Sequence, residues 1–161
     1  MQDKLKRTFV ITAIIEIVIA IGILSFWIAF FSTDMVSIED PKLKETYLAF
    51  ESAFPLPDGW LVISLIIGGT GLLKKKNYGY YFSLISGSSL IFLGLVDISF
   101  NVRQGIYVLG AGEAILNISI NLMCLISGIF ILSIICNNKN FTRRSATAAD
   151  RENEFLVYSN I

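Results

Sequence analysis

Histidine is absent from the 161 residues, and cysteine occurs only twice. The first absence removes the commonest metal ligand and the usual proton shuttle near neutral pH. Cys124 and Cys136 share one apolar run, about 18 Å apart at the helical rise, so no disulfide forms within that helix. No Cys-x-x-Cys pair and no pairing of a serine with a base occurs. Gly68-Gly69-Thr70-Gly71 lacks the lysine-serine ending and preceding strand of a phosphate loop. Charge is scarce too: 13 Lys plus Arg balance 13 Asp plus Glu. Basic residues make no stripe outside the membrane flanks, which excludes a nucleic-acid footprint. The chain therefore offers no catalytic set, cofactor motif or metal site, and the reading leans away from an enzyme.

What the chain has is hydrocarbon. Hydrophobic residues make up 54% and mean hydropathy is +0.66, while charged residues account for 16% and gather in short clusters. A spanning helix needs about 20 mostly apolar residues. The pattern predicts an all-α integral membrane fold, a four-transmembrane-helix bundle, with spans at 8–31, 60–73, 78–100 and 106–135. Residues 1–136 form the membrane domain and 137–161 a polar tail. The basic start before the first span, and the lack of a small-residue cleavage site after it, predict an uncleaved signal anchor.

Between the first two spans lies an acidic loop with its own order. Asp40 followed by Pro41 is an N-cap with proline at the first helical position. Leu43, Tyr47, Phe50 and Phe54 then recur on one face, predicting a short amphipathic helix over 41–54. Pro55 and Pro57-Asp58-Gly59 are expected to end it in a turn. Ten of the thirteen basic residues fall in the N-terminus, the Lys74–Lys76 loop and the tail. The positive-inside rule then places both termini in the cytoplasm of a multi-pass protein of the cell membrane.

Polar residues inside the spans carry the functional signal. Turning each helix by 100° per residue puts Gly79, Ser83, Gly87, Gly94, Asp97 and Asn101 within an arc of roughly 80°. Gly110, Glu113, Asn117, Asn121, Cys124 and Gly128 share a similar arc on the last span. Small residues let helices approach, and the polar ones continue the same faces. A charged group in hydrocarbon costs about 2.5–3.5 kcal/mol on insertion scales, so these residues face the interior. Asp97, Asn101, Arg103, Glu113, Asn117 and Asn121 are the candidate ligand-binding or polar-network residues. Asp97, Asn101, Glu113 and Asn117 are expected in the outer half and Asn121 near the middle, with Arg103 paired to one carboxylate and the asparagines completing hydrogen bonds. The expected occupant of such a cavity is a cation, a proton or a small polar or lipid-like ligand.

Glu16 stands apart, stacked with Thr12 and Ala20 on the inner face of the first span. One intramembrane acid in the first of four helices resembles the plan of the small multidrug-resistance exporters. That resemblance implies a proton site at Glu16 and proton-coupled transport. It covers only Glu16 and the span count; the long first loop and the outer acids depart from it. A further reading makes the chain an accessory subunit of a larger membrane complex, or a homo-oligomer, through its small-residue faces or its tail.

Overall fold

The computed structural model describes residues 2–33, 36 and 38–138, excepting the side chains of residues 2–6 and of Glu113. Five α-helices follow one another: α1 (Gln2–Ser32), α2 (Pro41–Glu51), α3 (Pro55–Leu73), α4 (Asn77–Gln104) and α5 (Ala111–Asn137). A 3-10 turn at Ile106–Val108 precedes α5, and no strand occurs among the described residues. Four segments are long and apolar enough to cross a membrane: Arg7–Ser32, Pro55–Leu73, Asn77–Gln104 and Ala114–Asn137. The tail beyond Asn138 lies outside the described residues.

Two boundaries differ from the sequence expectation. Pro55 does not end the loop helix; it opens α3, which runs for 19 residues rather than fourteen. Prolines suit a first helical turn because the N–H groups they lack would have no intrahelical acceptor there. The Asp58 N–H already donates to Phe54 O at 2.8 Å, so Pro57-Asp58-Gly59 is helix and not turn. At about 28 Å, α3 nearly matches the hydrocarbon thickness by itself. α2 is correspondingly shorter, ending at Glu51, although Asp40 caps it as expected by accepting from the Lys42 N–H at 2.9 Å. The last span begins at Ala111 rather than 106. Gly105, in the left-handed region at φ 68°, closes α4, and Ile106 is fully buried in the connection.

Neighbouring helices pack in the order α1, α3, α4, α5, and α1 touches α5 only slightly. Glycines draw the axes together. A methyl group on Gly71 would overlap the backbone of Gly79, and one on Gly128 would lie 2.7 Å from Gly87 O. Leu65, Leu90, Ile131 and Ile135 are fully buried between the seams. Outside, Phe31, Phe92, Val102 and Ile115 are 66–70% exposed, a surface that suits hydrocarbon rather than water.

α2 lies across the end of the bundle where α4 finishes. The Phe50 ring stacks on Phe100 with centroids 3.7 Å apart and planes 1° from parallel, and Tyr47 lies 6.2 Å from the same ring. Val36, Ile38, Tyr47 and Ile106 form a small apolar cluster under it. An acid-lined chamber lies beneath that arrangement.

Candidate functional site: an acidic cavity beneath α2

A cavity of about 220 Å³ opens below α2, walled by α1, α4 and α5 with the start of α3 beside them. Three carboxyl groups line it, each from a different helix: Glu51, Asp58 and Asp97. Among the described residues no lysine or arginine does. Helix ends explain the convergence. Glu51 is the last residue of α2, one turn after the buried Tyr47, so it points inward with that ring. Asp58 sits in the first turn of α3, where the helix dipole favours an acid. Asp97 lies two turns before the end of α4.

Asp58 has a fixed partner: the Trp27 indole N–H donates to its Oδ2 at 2.9 Å, tying α1 to the start of α3. Glu51 is 8% exposed and Asp58 7%, whereas Asp97 is half-buried. Burial is the main influence on Glu51 and pushes its carboxyl up from 4.5 to about 7. The charge of Asp97 pushes the same way, a hydrogen bond with Tyr47 pulls back, and Asp58 adds a smaller push. Phe26, Trp27, Tyr47 and Phe54 contribute rings to the wall, and Ile23, Leu93, Ile120 and Met123 its apolar part. Among the described residues no three His, Cys, Asp or Glu side chains converge as a metal ion would need. Asp58 also borders a side groove of about 390 Å³ between α3 and α4, lined by Trp60, Ser88 and Phe92.

The structure divides the sequence candidates. Asp97 and Asn117 line the cavity. Asn101 is buried behind them, its Nδ2 donating to Asn117 Oδ1 at 3.3 Å across α4 and α5. Asn121 is buried too and donates to the Tyr107 hydroxyl at 2.7 Å, leaving its Oδ1 unpartnered. Arg103 does not join them. It is exposed on the last turn of α4 and forms no ion pair among the described residues. The reason is rotation: two residues beyond Asn101, it sits roughly 200° round the helix from the buried face. Glu113 belongs to the first turn of α5, and its side chain lies outside what is described.

Glu16 is elsewhere, eleven residues before Trp27 and so about 16 Å along α1. It is 0% exposed, and no hydrogen bond reaches either carboxyl oxygen. Sequence reasoning missed Glu51, Asp58 and Trp27 as site residues. The signal for Glu51 was present, since it follows Tyr47 by four positions on the inward face of α2. Asp58 was hidden by the assumption that two nearby prolines mean a turn.

No curated protein and no solved structure matches this chain. Its residues 6–147, which take in all four apolar helices, match a family described as "Domain of unknown function (DUF8058)", and the chain belongs to that family.

Proposed function

We propose that the protein is a multi-pass membrane protein that binds an organic ammonium ion in the cavity beneath α2. One observation carries this reading: among the described residues the wall combines three carboxyls and four aromatic rings with no basic residue. Carboxylates attract an ammonium group through its charge, and ring faces attract it through their quadrupole. The apolar part of the wall suits the hydrocarbon substituents of an organic ion, as ligand pockets generally combine apolar lining with a few placed polar groups. A bare metal ion is less well served, because the three acids surround a space without converging on a point. With the basic clusters of the N-terminus and the Lys74–Lys76 turn on the cytoplasmic side, the cavity belongs to the outer half of the cell membrane.

Calorimetric titration of tetraethylammonium into the protein in lipid nanodiscs tests the reading. At pH 8, above the titration of Glu51, binding should be saturable. Asp97→Asn should weaken it by about tenfold, the loss expected from roughly 1.4 kcal/mol of charge attraction. Arg103→Ala should leave it unchanged. Absence of saturable binding to the unaltered protein overturns the proposal.

A further inference from the structure

Between α1, α3 and α4, about 9 Å along the helices from the cavity-lining Gly22 and Asp58, three fully buried polar side chains lack partners. Both carboxyl oxygens of Glu16 and the hydroxyls of Ser64 and Ser83 make no hydrogen bond, and all three residues are 0% exposed. We propose that Glu16, Ser83 and Ser64 form a binding site for a small monovalent cation of sodium's size. The site is independent of the ammonium reading and would stand without it.

Neighbouring buried hydroxyls behave differently. Thr12 and Ser86 are also 0% exposed, yet each bonds back to its own helix, to Thr8 O at 3.0 Å and Phe82 O at 2.8 Å. Such back-bonding to the carbonyl one turn earlier is the usual recourse of a serine or threonine within a helix. Ser64 and Ser83 do not take it.

Glycine holds the ligands in place. The position that a Cβ on Gly68 would take is 3.1 Å from Glu16 Oε2 and 3.1 Å from Ser83 Oγ. Carboxyl and hydroxyl thus overlie the same glycine, one coming from α1 and one from α4, near enough for the hydroxyl to act on the carboxyl though not at full bonding distance. Ser64 lies one turn before Gly68 on the same buried face of α3. The next residue, Gly69, lets α1 approach: a Cβ there would be 2.9 Å from Ala13 O.

Chemistry selects the ligand. Glu16 and the two serines present one carboxyl and two hydroxyls, four oxygens in all. Carboxylate and hydroxyl oxygens are hard donors that favour hard cations over soft ones. Glu16 is the only one of the three that can carry charge, and it makes no ion pair among the described residues. A monovalent ion neutralises it, whereas a divalent ion would leave an uncompensated charge in a low-dielectric interior. The close approach at Gly68 and Gly69 favours a small ion.

The test is thermal unfolding of the full chain in detergent at pH 8, with potassium chloride replaced by sodium chloride at constant ionic strength. A ligand that binds only the folded state raises the melting temperature as it saturates. Sodium should do so in the unaltered protein and in Asp97→Asn, and not in Glu16→Gln. Ser83→Ala, which removes one ligand without removing the charge, should raise the sodium midpoint by about tenfold. Should Glu16→Gln fail to fold, Ser83→Ala and Ser64→Ala decide, and unchanged midpoints in both overturn the site. A melting temperature indifferent to sodium means that water or a proton serves these oxygens, and overturns it too. So does a sodium effect that survives Glu16→Gln or disappears with Asp97→Asn.

Discussion

The carboxyls beneath α2 and the carboxyl of Glu16 are both buried, but the two regions bury them in opposite ways. Glu51, Asp58 and Asp97 project from the ends or last turns of their helices into shared space. There an indole N–H, a tyrosine and an asparagine side chain face the acids. Glu16 projects from the middle of α1 into a contact so close that two successive glycines are required opposite it. Space is abundant in the first region and negligible in the second. Helix ends therefore build a chamber that can admit a sizeable guest, while a helix middle built on glycine leaves room only for something atomic.

Adding bulk breaks the comparison most sharply. Gly68→Leu pushes a branched side chain into Glu16, Ser83 Oγ and the Ser83 backbone N–H. It should cost about 3 kcal/mol or more, the upper range for overpacking, and a loss of folded protein on size exclusion would show it. Gly22→Leu, on the cavity wall where an added Cβ meets nothing within 4 Å, should leave the melting temperature level or slightly raised. Equal damage from the two substitutions would erase the distinction between the regions.

A smaller effect is expected from Trp27→Phe, which keeps a ring but leaves Asp58 Oδ2 without its donor. Stability should fall by about 1–3 kcal/mol, the range for a buried acceptor left unpaired. Denaturant titration of the two proteins measures it.

Glu51 supplies a pH signature of the chamber. Its folded-state value near 7 lies above the unfolded value of 4.5. Below pH 4.5 the group is protonated in both states and destabilises neither. As pH rises from 4.5 towards 7 the unfolded chain releases its proton first, so stability falls; above 7 the fall levels off. Glu51→Gln should flatten that part of the profile, and a slope unchanged by the substitution would assign it to another group. The smallest effect is expected from Arg103→Ala. An exposed side chain without an ion pair among the described residues should matter by less than about 0.5 kcal/mol.

Much of this architecture was legible in local pattern. Asp40-Pro41 announced the start of α2, and long uncharged runs announced four helices. On α4 the small-residue face is buried at Gly79, Ser83, Gly87, Gly94 and Asn101 and half-buried at Asp97; on α5 it is buried at Asn117, Asn121, Cys124 and Gly128, while Gly110, the residue before the helix, is exposed. Glu16 faces inward, as its stacking with Thr12 and Ala20 predicts. These are properties of one helix at a time, where 3.6 residues per turn settle which side chains share a face.

Composition and periodicity by themselves thus determined the helices, their inward faces and the presence of acids on them. Which acids meet was decided by tertiary structure. Arg103 is nearest to Asp97 in sequence among the cations, yet it turns outward, while Glu51 and Asp58 arrive from other helices. Their arrival depends on Pro55 starting a helix and on Phe50 stacking against Phe100 to swing α2 across the bundle. Periodicity cannot encode either event. The angular position of a residue follows from its own helix, but its partners follow from how separate helices are set in depth and direction.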